Sequence, residues 1–301
     1  MKINKHLLIA VALGVSMSMG TCFATNIQNN VDVNVNMQQN VQGLVNWDKG
    51  SDADIEAWGV GLAPVNMYGP RGTALARRAA IVDAYRQLAE LVQGVQVDAE
   101  TTMRDLSIEN DVVRTKTQAL VKGARIIGEK VNTDGSYTVK MAIPLYGVKS
   151  VAAIAVPEAQ KAVLPETAPE ITESYVPTPE VKAEAASYTG VIVDAAGLGL
   201  EGTFSPVIYD VNGRAIYGMR NIDKDFAISH GMVEYSNDLQ AASANSRAGA
   251  NPLIVKAVSV KGGGNSINPV NVVVSVEDGD KILYANEKSS MLENRAVVFV
   301  K

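Results

Sequence analysis

The residues of this chain that could carry chemistry are few, and the most suggestive form the segment GLGLEG at residues 197–202. It follows the apolar run TGVIVDAA and matches G-x-G-x-x-G, in which a glycine turn places a dinucleotide pyrophosphate at a helix N-terminus. The following residues, TFSPVIYD, contain Pro206 and favour a hairpin instead of that helix. We therefore predict a glycine loop with positive φ at Gly197, Gly199 or Gly202, and no cofactor.

The sequence contains few of the residues that nucleophilic catalysis and metal binding by histidine and cysteine require. The chain has one cysteine, Cys22, and two histidines, and a predicted leader peptide contains Cys22 and His6. Any Ser-His-Asp arrangement must then use His230, which precedes a glycine in AISHGMVEY, a pattern typical of a turn. One histidine without a cysteine cannot build a His/Cys metal site. The sequence assigns no catalytic, cofactor-binding or metal-ligating residue.

Carboxylate chemistry is less restricted. The segments SDADIE (51–56) and NIDKDF (221–226) place acids at alternate positions, as the start of an EF-hand loop does. Both lack the glycine at the sixth position and the closing glutamate, so both fail the EF-hand pattern. A hydrolase with paired carboxylates stays open, because its two acids need not be neighbours in sequence. Sugar sites use aromatic platforms, and only Trp47 and Trp58 are tryptophans here.

The cations of the chain do not form a basic run. The formal net charge is −5, and a chain without clustered cations is a poor nucleic-acid binder. Arg77, Arg78 and Arg86 lie on one predicted helix, where Arg86 and Glu90 form an i,i+4 pair. A solvated helix face is the favoured interpretation of these arginines, with an anion site as the alternative.

The N-terminus has the pattern of a secretory signal peptide over residues 1–24. Lys2 and Lys5 precede the apolar run Leu7–Met19, and small residues then predict cleavage after Ala24. The apolar run is shorter than the roughly 20 residues that span a bilayer, and no later segment qualifies. Lipidation at Cys22 is the alternative, although the preceding residues fit a lipoprotein signal poorly. We expect an exported protein in the periplasm or at the outer membrane or cell surface.

The periodicity of the remaining chain predicts an α+β protein of two small sheet-plus-helix domains. Residues 25–54 form a polar N-terminal arm whose alternating stretch VDVNVNMQQNVQ could add a strand to a neighbour. The first domain covers residues 55–155 in the order β-α-β-α-β-β, with VQVDAETTM as its second strand and a hairpin at Asp134-Gly135. Its clearest helix is TALARRAAIVDAYRQLAELVQG. The residues of its expected buried face are Leu75, Val82, Tyr85, Ala89 and Val92.

A change of composition marks the boundary between the two domains. Residues 156–187 are rich in Pro, Glu and Ala and predict an extended, semi-stiff linker. The C-terminal α/β domain, residues 188–301, begins with the strand YTGVIVDA and has a hairpin at Asn212-Gly213. A helix within EDGDKILYANEKSSML connects PVNVVVSV to the last strand, RAVVFV, at a spacing suited to a βαβ crossover.

The first domain also resembles a known family. The segments WGVGLAP, ARRAAIVDAYRQLAELVQGVQVDAETT and YTVKM, within Ala57–Leu145, resemble the LPP-type bacterial lipoprotein family, which is related to the N-terminal domain of flagellar assembly protein T. The second domain resembles a module joined to it in envelope proteins, around TGVIVDAAGLGLEGTFSPVIYD and NPLIVKAV. The resemblance implies an envelope module, in some relatives part of flagellar or outer-membrane assemblies, without an established enzymatic site. The poor lipoprotein signal before Cys22 departs from that family.

These observations favour a non-enzymatic, exported cell-envelope protein that acts through protein–protein contacts in an outer-membrane or flagellar assembly. Its expected partners are envelope proteins or further copies of itself, and nucleic acid is not among them. The alternative is a secreted glycan-binding protein or a carboxylate-dependent hydrolase, which requires two acids roughly 5–10 Å apart in a cleft.

Overall fold

The computed structural model describes residues 43–161, 168–262 and 268–301. The predicted leader with Cys22, and the arm as far as residue 42, lie outside these residues. The described chain contains helices and three four-stranded sheets, so the predicted α+β class is confirmed. The strands are β1 (Gly43–Asn46), β2 (Asp54–Gly61), β3 (Arg125–Val131), β4 (Tyr137–Pro144), β5 (Gly190–Asp194), β6 (Ile208–Asp210), β7 (Ala215–Tyr217), β8 (Glu234–Ser236), β9 (Pro252–Lys256), β10 (Ser259–Lys261), β11 (Asn271–Val274) and β12 (Val297–Val300). The α-helices are α1 (Gly69–Gly94), α2 (Met103–Glu109), α3 (Asp111–Lys122), α4 (Ala152–Lys161), α5 (Pro179–Glu184), α6 (Lys224–His230), α7 (Leu239–Ser243) and α8 (Val276–Ser289).

The first sheet is antiparallel, in the order β1-β2-β4-β3, and α1 covers one of its faces. Gly59 of β2 has no side chain beneath the helix, and a Cβ built there would lie 2.0 Å from the Ala80 carbonyl oxygen. Gly61 is equally close to α1, at 2.0 Å from the Ala76 carbonyl oxygen. Glycines on the strand and alanines on the helix therefore allow the two backbones to approach.

The buried face of α1 is only partly the predicted one. Of the five predicted residues Val92 is fully buried, and Leu75, Tyr85 and Ala89 are half-buried. Ala76, Ala80 and Ala84 are fully buried, whereas Val82 is 69% exposed. The period of the larger apolar residues missed this alanine stripe, because the glycine surface of β2 accepts only small side chains. Leu88 and Val92 complete the buried stripe.

The segment VQVDAETTM does not form the predicted second strand. Its only antiparallel pairing among the described residues is an isolated bridge from Gln96 to Thr102. The Asp98 carboxylate accepts the backbone N–H groups of the next turn, and Thr102 begins α2 in a capping box with Asp105. Hydrogen bonds between side chains and the local backbone therefore take the place of the backbone hydrogen bonds that a strand would form with a neighbour. From β2 the order is consequently β-α-α-α-β-β.

The C-terminal part contains the other two sheets. The order β8-β12-β5-β9 is wholly parallel, and β10-β11-β6-β7 combines one parallel with two antiparallel pairs. Every residue of β11 and β12 is buried, as their apolar runs predicted. The helix α8 lies between β11 and β12 in sequence, but the two strands belong to different sheets. The predicted βαβ crossover within one sheet is therefore wrong.

The segment predicted as a linker is ordered and packed over its described length. The helix α4 continues to Lys161 with Pro157 inside it, and Val181 and Ala185, in and after α5, are buried. The ring of Tyr175 lies 6.2 Å from that of Tyr284 on α8. Because its apolar residues find partners on the C-terminal part, this segment is not an extended spacer, and the described residues from Gly43 onward belong to one compact unit.

The end of the predicted arm is also folded. Residues 43–46 form β1, which pairs with β2, and a 3-10 helix follows at Trp47–Asp52. Trp47 is 6% exposed, with its ring centroid 5.1 Å from Phe204 and 5.7 Å from Tyr235. Tyr146, after β4, contacts the same ring at 6.4 Å. The two predicted domains thus share one hydrophobic core, and Trp47 contacts residues of both within it.

Candidate functional site

A concave surface lies between α3, the start of β3, the end of β4 and α4. It encloses about 550 Å³ and is lined by apolar side chains that include Leu120, Ile143 and Ile154. The exposed cations Lys116, Arg125 and Lys149 complete the lining, which contains no acidic residue. We call this surface the basic-rimmed groove, defined by the three cations and the apolar residues between them.

Local structure explains how the rim is built. The Asn110 side chain caps α3, which carries Lys116, and Gly123 ends that helix so that the chain turns into β3. On the other side, the Ser150 hydroxyl donates to the Gly147 carbonyl and accepts the backbone N–H of Ala153. These bonds order the turn that bears Lys149 and begins α4. The Ser150 hydroxyl is therefore already engaged, and the rim offers charge more than directional hydrogen bonding.

The strand β3 forms an edge of the first sheet beside this groove. It pairs only with β4 among the described residues, and Arg125 belongs to both the strand and the groove. Ile126, Ile127 and Val131 are 40%, 45% and 57% exposed. A bulge between Ile126 and Gly128 interrupts the first half of the strand, a feature that protects sheet edges, whereas the register is regular from Gly128 to Val131. The second half of β3 is consequently the open part of this edge.

The GLGLEG segment is a loop, as predicted. Gly197 and Gly199 have φ of 76° and 74°, and the residues directly after Gly202 do not form a helix. The chain instead bridges to Gln96 at Thr203 and continues into β6. A Cβ built on Gly202 would lie 2.4 Å from the Trp47 indole, so this glycine is required by core packing. The helix N-terminus that would hold a pyrophosphate is not formed at this loop.

His230 is the exposed last residue of α6, in agreement with the predicted turn. Its ring stacks on Phe226 with centroids 4.8 Å apart, and its Nδ1 lies 2.8 Å from the Ser229 hydroxyl oxygen. That hydroxyl donates to the Asp225 carbonyl at 2.6 Å. Within the described residues no carboxylate hydrogen-bonds to His230, so the local contacts do not assemble a Ser-His-Asp arrangement.

The two acidic segments serve local structure. Glu56, from SDADIE, accepts hydrogen bonds from Lys140 at 2.6 Å and from Lys49 at 3.3 Å. Burial raises the pKa of Glu56, but the hydrogen bonds of the two lysines outweigh burial and leave the pKa below its usual value. Asp223, from NIDKDF, caps α6. No group of three metal-ligating side chains occurs in the part of the chain that the structure describes.

Two of the arginines on α1 are engaged with carboxylates. Arg77 contacts Glu129 on β3 at 2.6 Å, and Arg86 bridges Asp83 and Glu90 at 3.0 and 2.8 Å. Exposed pairs of this kind contribute little to stability, because water screens both charges. They support the interpretation of a solvated helix face, since their cations are already neutralised.

The C-terminal part, with its two sheets and α8, is similar to a known domain. Residues 190–301 match the family model of the second domain of Treponema pallidum Tp0624. The match begins at the first residue of β5 and covers a little over a third of the chain. A comparison with curated proteins finds no match. We refer to residues 190–301 as the Tp0624-like domain; the resemblance of Ala57–Leu145 to the LPP-type family stays a prediction.

A buried ion-pair cluster ties the Tp0624-like domain to the segment before it. Arg214 Nε contacts Asp210 at 3.0 Å, and its Nη1 contacts Asp280 at 2.8 Å. Arg214 also donates to the Glu170 carbonyl, and Thr172 donates its backbone N–H and its hydroxyl to Asp280. The sequence did not predict this cluster. Asp210 and Arg214 flank the predicted Asn-Gly turn, but Asp280 is distant in sequence, and no sequence pattern places it beside Arg214.

The electrostatics of this cluster bear on hydrolytic chemistry. Burial raises the pKa of Asp280, but the hydrogen bonds from Thr172 and Arg214 lower it by more, so the group stays ionised. A glycosidase needs one carboxylic acid that holds a proton near neutral pH. Asp210 and Asp280 instead share one guanidinium, so this pair is suited to structure and not to acid–base catalysis.

Replacement of Thr172 by valine should lower the free energy of unfolding by about 1–2 kcal/mol at neutral pH, because a buried carboxylate loses a donor. Asp280 has a depressed folded-state pKa, so its contribution is present above the unfolded pKa of about 3.9 and disappears as pH falls through the folded pKa. The difference between wild type and variant should therefore shrink in acid, as urea unfolding at several pH values would measure. Thr115→Val, on the exposed face of α3, is the matched control. A pH-independent loss would contradict this role.

A second cluster missed by sequence reasoning surrounds Arg247. Its guanidinium donates to the backbone carbonyls of His230, Gly231, Met232 and Arg295 at 2.7–3.0 Å. Burial lowers the pKa of Arg247. The side chain joins three loops of the Tp0624-like domain, which indicates a structural role.

Proposed function

We propose that this chain is a non-enzymatic, exported protein of the cell envelope that acts through protein–protein contacts. The partner is an extended segment of an envelope protein, in an outer-membrane or flagellar assembly, that pairs with the free edge of β3. The signal-peptide pattern at residues 1–24 supports export. The observation that carries the proposal is β3 itself, a seven-residue edge strand exposed on both faces.

The exposure of β3 supports strand addition more than it supports a solvated edge. An edge strand presents unpaired backbone groups that can pair with an extended segment. Ile127 and Val131 add apolar surface that a partner strand would cover. Glu129 and Lys130 carry opposite charges, and Glu129 forms an ion pair with Arg77. The charges of β3 therefore offer little electrostatic repulsion to a partner strand. The alternating arm of a second copy has a suitable pattern, so self-association is one outcome of the test.

The double variant Ile127→Lys, Val131→Lys is expected to reduce recovery of the protein in a large envelope complex by about tenfold. A lysine at the bulge and a second on the open half of β3 both oppose strand pairing, and both are solvated in the free protein. Size fractionation of gently solubilised envelopes, with cross-linking and mass spectrometry, measures the recovery. Mass spectrometry of the N-terminus also distinguishes cleavage after Ala24 from lipidation at Cys22.

The control variant Val65→Lys, Val82→Lys changes two valines that are more exposed than Ile127 and Val131 but lie outside β3. It should leave recovery in the complex unchanged. Both double variants should keep their unfolding free energies within about 0.5 kcal/mol per site of wild type. Recovery of the wild type only as a free monomer, or equal losses for the two variants, would overturn the proposal.

A further inference from the structure

We propose that the basic-rimmed groove binds an anionic single-chain amphiphile, with its hydrocarbon chain on the apolar floor and its carboxylate or phosphate headgroup at the cations. Lys116, Arg125 and Lys149 would receive the headgroup. The proposal rests on the groove alone and does not depend on strand addition at β3.

The size and lining of the groove suit a small apolar ligand. Small-molecule sites enclose about 300–1,000 Å³, are mostly apolar and contain a few polar groups. The groove encloses about 550 Å³, and its floor combines buried Ile143 and Ile154 with half-buried Leu120. Its apolar surface can cover a hydrocarbon chain, and each CH₂ group removed from water adds to the stability of the complex.

The charge of the groove opposes that of the whole protein. The chain has a net charge of −5, yet three cations and no acid line this surface. Among the described residues the three cations form no ion pair, in contrast to Arg77, Arg86 and Arg214 elsewhere. Cations without acidic partners beside an apolar floor complement a ligand that is anionic at one end and apolar along its length.

The same lining opposes other ligand classes. A glycan needs hydrogen-bonding groups for its hydroxyls and an aromatic platform, but no aromatic residue lines the groove and Ser150 is already engaged. A single-stranded nucleic acid likewise stacks its bases on aromatic side chains. An acidic peptide would satisfy the charges but would leave the apolar floor uncovered, and its binding in place of both anions would contradict the proposal.

Titration of the purified full chain with dodecanoate, dodecyl phosphate and dodecyltrimethylammonium, all below their micellar concentrations, tests the proposal. The three probes share one hydrocarbon chain and differ in headgroup. We expect saturable binding of one or both anions, about tenfold tighter than that of the cation, and the tighter anion identifies the headgroup. Isothermal titration calorimetry measures the affinities. Equal binding of all three probes, or no binding of the anions, would overturn the proposal.

Two variants locate the binding. Lys116→Glu with Lys149→Glu should weaken anion binding about tenfold, and Ala119→Trp, at an exposed lining position, should block every probe by filling the groove. The control, Lys182→Glu with Lys224→Glu, makes the same change of net charge at exposed positions outside the groove and outside β3, and should bind normally. Equal weakening by the charge control, or binding of an acidic peptide in place of both anions, would contradict the assignment.

Discussion

Trp47→Ala should lower the free energy of unfolding by about 3–5 kcal/mol, the range expected when a buried tryptophan is truncated. The indole lies against the rings of Phe204, Tyr235 and Tyr146 and against the backbone of Gly202. Its removal would leave a cavity between parts of the chain that the sequence assigned to separate domains. Because one core spans both parts, we expect a single cooperative unfolding transition that shifts as a whole.

Trp58→Ala is the matched control for this result. Trp58 is only half-buried on β2, with Lys140 5.0 Å above its ring, so its removal leaves no enclosed cavity. We expect it to cost clearly less than Trp47→Ala. The chain has two tryptophans, so each variant retains one fluorescent reporter for urea unfolding. Equal losses in the two variants, or two separate transitions in the wild type, would contradict the shared core.

Gly59→Ala should destabilise the protein by about 3 kcal/mol. The new methyl group would lie 2.0 Å from the Ala80 carbonyl oxygen and 2.3 Å from the Ala84 backbone nitrogen. Neither atom belongs to a side chain that could rotate away, so α1 must move off the sheet and loosen the alanine stripe. Urea unfolding measures the loss, and protease sensitivity of α1 reports where packing has opened.

Gly128→Ala is the control for this substitution in the same sheet. The nearest atom to a Cβ at Gly128 is the Lys140 Cβ at 3.7 Å, an ordinary contact. The expected change in the free energy of unfolding is within about 0.5 kcal/mol. Alanine loses less backbone entropy on folding than glycine does, and its methyl group meets no close atom at this position. A comparable loss at Gly128 would indicate that β-strand propensity, and not the contact with α1, explains the effect at Gly59.

The glycine strand and alanine helix also give a physical meaning to the segments that resemble the LPP-type family. In WGVGLAP the two glycines are Gly59 and Gly61, and in ARRAAIVDA the buried positions include Ala76, Ala80 and Ala84. These residue types are required by a close helix-on-sheet contact. The motif therefore describes packing, and it identifies no reactive group.

Features that depend on neighbouring residues were readable from the sequence. The hairpins at Asp134-Gly135 and Asn212-Gly213 are present, with φ of 83° and 84° at their glycines. Pro206 and the β-favouring residues around it correctly predicted that no helix follows GLGLEG. Turn residues act through their own backbone conformation, so a few adjacent letters are sufficient to predict them. The alternation of apolar and polar residues in VQVDAETTM predicted a strand that does not form, because Asp98 and Thr102 instead cap a turn and the helix α2.

Features that depend on distant residues were decided only by the tertiary structure. The groove combines α3, β3, β4 and α4, whose cations are unremarkable in sequence until the fold brings them to one surface. The same holds for Asp280 beside Arg214, and for Trp47 beside Phe204. Sequence patterns report the periodicity of one segment, whereas packing depends on the shape of the segment opposite. The sequence by itself determined the α+β class, the turns and the glycine loop; the fold determined which faces were buried and which charges were left unpaired.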